Sequence, residues 1–162
     1  MKANKDCYFP ERDIPAKNNT NCITLIFLLQ TFHYLIIEPL FDTLHMQGTM
    51  FGMPHLDRPQ GRIDHQIKDG ATIQLGNTTL RFMSTPGHTP GQGCYYDDYD
   101  IIVGDTIFNG SIGRVDFPLS DPIKAVESLR RLMMLPEHLR VHSGHGPMTT
   151  IGRELRENPF LA

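Results

Sequence analysis

The chain has 162 residues, a length that fits one domain built on one hydrophobic core. Its 15 Lys and Arg against 18 Asp and Glu give a formal charge of -3, and 40% of the residues are hydrophobic. Since no basic stripe is available to neutralise phosphates, nucleic acid is excluded as an expected partner. The composition is also outside the range of disordered chains, so we expect a folded protein.

The cysteines and histidines bear on redox environment and on metal binding. Cys7, Cys22 and Cys94 form no Cys-x-x-Cys pair, and their odd number supports neither a disulfide framework nor a thiolate zinc site. We therefore expect a cytoplasmic protein. The eight histidines are the compositional feature that points to chemistry, because neutral imidazole is the commonest nitrogen ligand for a metal.

The N-terminal part shows little regular patterning. Residues 1–21 mix charges of both signs with two prolines, which predicts an irregular leader. The apolar block at 23–29 predicts buried core rather than a membrane span, because polar residues interrupt it and Pro39 follows soon after. Residues 40–53 have helical spacing.

Two strand pairs are predicted further along the chain. Residues 71–75 and 78–82 alternate apolar and polar positions on either side of Gly76-Asn77, which is a two-residue hairpin signal. Residues 93–96 and 100–104 predict a second pair, and the last of these segments is apolar enough to be buried. The sequence therefore predicts a sheet in this half of the chain.

Helix and strand signals alternate after that sheet. Asp121-Pro122 marks the start of a helix whose apolar residues repeat at helical spacing up to Pro136. A short strand is predicted at 139–141, followed by a last helix at 151–157 that Asn158-Pro159 ends. The overall pattern is that of an α/β (α+β) fold.

Three polar residues, His88, Asp105 and His145, each follow a predicted strand and stand beside a glycine. Glycine lets the backbone turn tightly and approach a ligand closely. If the three strands are neighbours in one sheet, their carboxyl ends bring two imidazoles and a carboxylate together, which is the ligand chemistry of zinc or iron. We interpret the following histidines as structural: His33, His45, His65, His138 and His142.

A series of motifs runs in order between about Met50 and Leu161. They are Asp69-Gly-Ala-Thr-Ile, Leu75-Gly, Thr85-Pro-Gly-His-Thr-Pro-Gly91, Gly104-Asp105, Asn109-Gly-Ser-Ile-Gly-Arg114 with Asp116, Ser143-Gly-His-Gly-Pro147, Thr149-Thr-Ile-Gly152 and Asn158-Pro-Phe160. Together they resemble the metallo-β-lactamase-fold metallohydrolases, and most closely the glyoxalase II-like branch related to hydroxyacylglutathione hydrolase. The resemblance implies an αββα sandwich that hydrolyses a thioester or related acyl bond by a metal-bound hydroxide.

The resemblance also implies roles for individual residues. His88 would bind one metal, Asp105 would bridge two, and His145 would bind the second. Arg114 is a candidate for binding an anionic substrate, and a loop ion pair with Asp116 is its structural alternative. We expect zinc, with iron or manganese as alternatives, and a small acyl or thioester molecule as substrate.

One motif of that family is missing. No His-x-His-x-Asp-His occurs in the 162 residues, and His55-Leu-Asp57, which resembles a piece of it, continues with Arg58. We therefore expect a partial sandwich whose N-terminal part is truncated or rearranged. Residues 1–45 would be a divergent segment, and residues 46–162 the C-terminal part of a metallo-β-lactamase-like domain.

The missing motif limits the metal site. A catalytic zinc ion takes three protein ligands and a water, whereas each ion of a pair would keep two ligands of this chain. We therefore expect fewer ions than the two of the family, with a single ion shared by His88, Asp105 and His145 as one arrangement.

Two interpretations of function remain open. The first is a metal-dependent hydrolase, and the second is a catalytically inactive remnant or interaction protein that keeps part of the metal site. β-Lactam hydrolysis is a weaker third, because the loop that ends at Arg114 is typical of the glyoxalase-like branch. We expect no membrane partner, and a homo-oligomer remains an open alternative.

Overall fold

The computed structural model describes Cys7–Tyr8 and residues 67–161. Seven strands of this part form one sheet in the order β1-β2-β3-β4-β5-β8-β9, and β6 pairs with β7. The elements are β1 (Cys7–Tyr8), β2 (Thr72–Leu75), β3 (Thr78–Ser84), β4 (Gly93–Tyr96), β5 (Asp100–Gly104), β6 (Ile107–Phe108), β7 (Ser111–Ile112), α1 (Pro122–Leu132), β8 (Arg140–Ser143), β9 (Thr149–Thr150) and α2 (Ile151–Glu157). The expected mixed α/β fold is confirmed.

Both predicted strand pairs are present. Strands β2 and β3 are antiparallel around Gly76-Asn77, and Gly76 has a φ of 57°, a left-handed value that favours glycine. Strands β4 and β5 are also antiparallel, and Ile101 and Val103 of β5 are fully buried. The alternating and continuous apolar patterns therefore located these four strands correctly.

Strand direction decides where the candidate site forms. Strand β3 is antiparallel to β4, β4 is antiparallel to β5, and β5 is parallel to β8. Strands β3, β5 and β8 therefore run in the same direction, and their carboxyl ends lie at one edge of the sheet. His88, Asp105 and His145 follow these three strands, as the sequence predicted.

Helix α1 begins as predicted and ends earlier. The Asp121 carboxylate accepts hydrogen bonds from the backbone amides of Ile123 and Lys124, at 3.1 and 3.0 Å, and Pro122 occupies the first turn. The helix ends at Leu132 rather than continuing toward Pro136. Of the apolar positions, Leu129 and Leu132 are buried, whereas Ile123 in the first turn is 74% exposed.

Apolar side chains pack on both faces of the sheet. On one face, helices α1 and α2 complete a cluster of Cys94, Ile101, Val103, Ile107, Leu129, Leu132, Leu139, Val141 and Ile151. On the other, a smaller cluster contains Ile73, Leu80, Phe82 and Tyr95. Burial raises the pKa of the Cys94 thiol to about 11, so this thiol stays protonated at neutral pH.

Strand β1 corrects the prediction of an irregular leader. Cys7 and Tyr8 pair in parallel with Ile73 and Gln74 of β2. A strand edge carries unpaired backbone groups, so even two residues without a strand pattern can add to it. The predictions for residues 23–29 and 40–53, the boundary between 1–45 and 46–162, and the histidines before residue 67 lie outside the described residues.

No helix in the described ranges has the length and apolar character needed to cross a bilayer.

Candidate metal centre

The three loops at the sheet edge bring two imidazoles to one carboxylate. The Nε2 atom of His88 lies 3.7 Å from Oδ2 of Asp105, and the Nε2 atom of His145 lies 3.9 Å from the same oxygen. The Oδ2 atom is therefore shared by both imidazoles. The residues predicted to ligate a metal are brought together by the fold.

His88 is oriented by a backbone carbonyl. Its Nδ1 atom lies 2.8 Å from the carbonyl oxygen of Arg114. A carbonyl oxygen accepts, so Nδ1 carries a proton, and in the neutral imidazole Nε2 is then the nitrogen with a lone pair, on the side of Asp105. Metal-binding histidines are commonly fixed in this way, because the partner of the distal nitrogen sets the tautomer and the ring plane.

The loop that carries His88 is held against helix α1. A Cβ atom on Gly87 would lie 2.5 Å from Ala125, so this close approach requires glycine. Three hydrogen bonds fasten the loop: Asp121 N to Gly87 O at 2.8 Å, Ser120 Oγ to His88 O at 2.8 Å, and Ser128 Oγ to Pro86 O at 2.7 Å. The position of His88 therefore depends on the start of α1 as well as on β3.

Asp105 is packed between two glycines. A Cβ atom on Gly144 would overlap Oδ1 of Asp105, and one on Gly113 would overlap the carbonyl oxygen of Asp105. The backbone amide of Gly144 donates to the carbonyl oxygen of Gly104 at 2.9 Å, which links the loops after β5 and β8. The glycines beside the ligands thus permit close approach, as the sequence suggested.

His145 lies at the open side of the site. Its side chain is 71% exposed, and it stands between Gly144 and Gly146, whose φ is 86°. The ring of Phe108 stacks on the imidazole, with ring centroids 4.2 Å apart and 24° between the planes. Phe108 and the β6–β7 hairpin were not predicted from the sequence, although Asn109-Gly110 is a two-residue hairpin signal.

A buried polar cluster lies beneath the candidate ligands. The Oγ1 atom of Thr106 donates to the carbonyl oxygen of Val103 at 2.7 Å and accepts from Nε2 of Gln92 at 2.6 Å. The Thr85 hydroxyl lies 3.1 Å from the same oxygen. Because Thr106 directly follows Asp105, this cluster fixes the backbone on which the carboxylate stands. No sequence pattern indicated that Gln92 and Thr106 would meet.

The donor set fits zinc, iron or manganese in part. Tetrahedral ligands at about 2.1 Å from one ion lie roughly 3.4 Å apart, and the two imidazole–carboxylate distances, 3.7 and 3.9 Å, are a few tenths of an ångström longer. Within residues 67–161, however, no group of three His, Cys, Asp or Glu side chains forms a complete metal-binding cluster. The three side chains therefore supply part of a coordination shell.

Arg114 lies at the rim of the site. Its guanidinium donates two hydrogen bonds of 2.8 Å to the carboxylate of Asp116 and lies 4.4 Å over the ring of Phe117. The hydrogen bonds from Arg114 lower the pKa of Asp116 to about 2. The ion pair that we considered as the structural alternative is present, and substrate binding by Arg114 stays a prediction.

Two further histidines make contacts at the amino end of β5. The Nε2 atom of His142 lies 2.7 Å from Oδ1 of Asp100, at the start of β5, and that of His138 lies 2.9 Å from the carbonyl oxygen of Asp98. Burial opposes ionisation of Asp100, but Arg140 and His142 hold its pKa below the usual value. These contacts are structural, and neither histidine faces the candidate site.

Comparison with known proteins gives named relatives. The hydroxyacylglutathione hydrolase GloC of Haemophilus influenzae is 35% identical over 127 residues, which are 75% of this chain and 58% of that protein. The probable metallo-hydrolase YqgX of Bacillus subtilis is 37% identical over 122 residues, 74% of this chain and 56% of that protein. The chain thus spans somewhat more than half the length of these two curated relatives.

Solved structures show the same fold. A di-iron-bound form of TTHA1623 has a TM-score of 0.65 at 36% identity and covers 78% of this chain and 62% of its own. The BLEG-1 B3 metallo-beta-lactamase has a TM-score of 0.67 at 33% identity, and the match covers 81% of this chain and 62% of that protein. The family model of the metallo-beta-lactamase superfamily matches residues 35–145. That match includes all three candidate ligands and more than half of the chain, which therefore belongs to the metallo-beta-lactamase superfamily.

Proposed function

We propose that this chain is a metal-dependent hydrolase that cleaves a thioester or related acyl bond of a small molecule in the cytoplasm. The observation that carries the proposal is the position of Asp105 Oδ2 between the Nε2 atoms of His88 and His145. A divalent ion bound there would lower the pKa of water and polarise the acyl carbonyl.

Three residues of this chain would bind the metal. His88, whose Nε2 lone pair is fixed by the Arg114 carbonyl, and His145 would hold the metal together with Asp105. Three protein ligands suit one ion better than two, so we propose fewer ions than two, with zinc as the metal and iron as the alternative that the di-iron neighbour supports.

The substrate class rests on the relatives and on the rim of the site. The name hydroxyacylglutathione hydrolase favours a glutathione thioester. At the rim, Arg114 would bind a substrate anion in exchange for its ion pair with Asp116, and the ring of Phe117 would supply an apolar contact. Such a pair suits a substrate with a carboxylate near an acyl chain.

A second candidate function follows from a specific observation. The described residues close no three-ligand cluster, so a protein that keeps part of the site without catalysis is the alternative. Such a protein would act by binding a partner, including a second copy of itself.

The test uses the untagged protein, because a histidine tag would itself bind metal. Metal content by elemental analysis and hydrolysis of an acylated glutathione are measured for the wild type, His88→Ala and Asp105→Asn. His138→Ala, which removes a histidine at the far end of the strands, is the matched control.

We expect about one ion per wild-type chain, its loss in both site variants, and a fall in hydrolysis of at least about 100-fold. The control should match the wild type. A wild type without metal and without hydrolysis would favour the non-catalytic alternative, and hydrolysis that persists in Asp105→Asn would eliminate this site.

A further inference from the structure

The two imidazoles of the site are held by different means. His88 is fixed by a hydrogen bond from Nδ1 to the Arg114 carbonyl, and its side chain is only 16% exposed. His145 is 71% exposed, and no residue in the described part of the chain makes a hydrogen bond to its ring. An exposed imidazole between two glycines would rotate freely unless something else restrained it.

The ring of Phe108 supplies such a restraint. Its centroid lies 4.2 Å from that of His145 with 24° between the planes, which is a stacked arrangement. Stacking lies along one face of the imidazole and leaves the ring edge free. With that face covered, the Nε2 edge is turned toward Oδ2 of Asp105, at 3.9 Å.

Phe108 is itself held in place from two sides. The Ser143 hydroxyl donates to the carbonyl oxygen of Ile107 at 2.8 Å, which ties β6 to the loop of His145. From helix α2, the Glu154 carboxylate accepts from the amide of Gly110 at 2.9 Å, and the Asn158 side chain donates to the carbonyl oxygen of Ser111 at 3.0 Å. The β6–β7 hairpin is therefore a rigid support for the stacked ring.

We propose that Phe108 is a positioning residue that sets the ring plane of His145 for metal binding. The inference deepens the proposed function, since the metal is the ligand that the positioned ring would serve. Phe108 needs no contact with the metal or the substrate in this role. Its effect passes through the imidazole alone.

The experiment compares Phe108→Leu, Phe108→Tyr and Phe160→Leu with the wild type. Leucine removes the ring but keeps apolar volume, tyrosine keeps the ring, and Phe160→Leu is a matched loss of a ring that is 58% exposed and makes no ring contact with either site histidine. One readout is the imidazole NMR signals of the metal-free protein, assigned with His145→Ala and His88→Ala. The other is zinc affinity, measured by competition with a chromophoric chelator.

In Phe108→Leu we expect the His145 signals to move, because the ring current of the stacked partner is lost, while the His88 signals stay in place. Zinc affinity should fall about ten-fold, the lower end of what partners of metal-binding histidines contribute. Phe108→Tyr and Phe160→Leu should match the wild type. Unmoved His88 signals and an unchanged unfolding transition report that the fold is intact.

Unmoved His145 signals in folded Phe108→Leu, or unchanged zinc affinity, would overturn the inference. An equal loss of zinc affinity in Phe160→Leu would also overturn it, because removing any exposed phenylalanine ring would then have the same effect. A wild type that binds no zinc would contradict the proposed function instead, and His145 signals that stay in place in metal-free Phe108→Leu would still overturn the stacking on which this inference rests.

Discussion

Glu154 is a buried carboxyl group that joins helix α2 to the sheet edge, and replacing it tests how the site is supported. The residue is 1% exposed. Its Oε1 atom accepts from the Thr149 hydroxyl at 2.5 Å, and its Oε2 atom accepts from the Gly110 amide at 2.9 Å and from the Asn158 side chain at 2.8 Å. Glu154→Ala would remove the acceptor of all three hydrogen bonds, and the Asn158 side chain would keep its bond to the carbonyl oxygen of Ser111.

The magnitude follows from those three contacts. A hydrogen bond contributes about 0.5–1.5 kcal/mol net, so three bonds at about 1.3 kcal/mol each should lower the free energy of unfolding by about 4 kcal/mol when they are lost. With a urea dependence of about 2 kcal/mol per M, the unfolding midpoint should drop by about 2 M. Urea titration followed by circular dichroism measures this change.

Two controls separate the causes. Glu154→Gln keeps the shape and one acceptor oxygen for Gly110 and Asn158, and the Thr149 hydroxyl can turn to accept from the new amide, so its loss should stay below about 1 kcal/mol. Glu157→Ala removes an exposed partner of Arg153 on the same helix, and its loss of unfolding free energy should also stay below about 1 kcal/mol. A loss in Glu154→Ala no larger than in Glu157→Ala would refute the reasoning.

Three further predictions concern the loops and the helix start. Gly144→Ala places a Cβ against Oδ1 of Asp105, so zinc affinity should fall about ten-fold or more in chelator competition, and wild-type affinity would contradict the packing described. Asp121→Ala removes the N-cap of α1 and should lower the free energy of unfolding in urea by about 1 kcal/mol, with no change meaning that the cap contributes nothing. Burial raises the pKa of Asp69, but hydrogen bonds from the Ser84 backbone amide and from Arg131 outweigh it and hold this pKa below its ordinary 3.8. The stability that its ionised form contributes is complete above that value and is lost as the pH falls through the lowered pKa. The stability gap between the wild type and Asp69→Asn, measured in urea across pH 2–7 in steps of about 1 unit, should therefore close in acid, and a constant gap would count against this ion pair.

The regular elements were predictable because their signals are local. Gly76-Asn77 between alternating segments and Asp121-Pro122 before an apolar repeat each specify an element from a few neighbouring residues. The meeting of the three candidate ligands at one edge was predictable for a related reason. His88, Asp105 and His145 each follow a strand, and the only further condition was that these strands run in one direction.

The unpredicted features depend on contacts between distant residues. Phe108 meets His145 across 37 positions of sequence, and Glu154 meets Gly110 across 44, so no local pattern signals either contact. The outward position of Ile123 was missed because helical spacing gives a face but not how much of that face other residues cover. Residues 7 and 8 show no strand pattern in the sequence, and β1 pairs because the edge of β2 offers backbone groups to bond.

The parallel pairing of β5 with β8 has a consequence for folding. Parallel neighbours cannot be joined by a tight turn, and here the connection runs through the β6–β7 hairpin and helix α1. Asp105 and His145 are 40 residues apart in sequence, so their approach depends on the closure of that whole connection. An ion arriving before that closure would find the two ligands on separate parts of an unfinished chain. A metal ion bound between these loops would therefore stabilise the folded chain relative to the unfolded one.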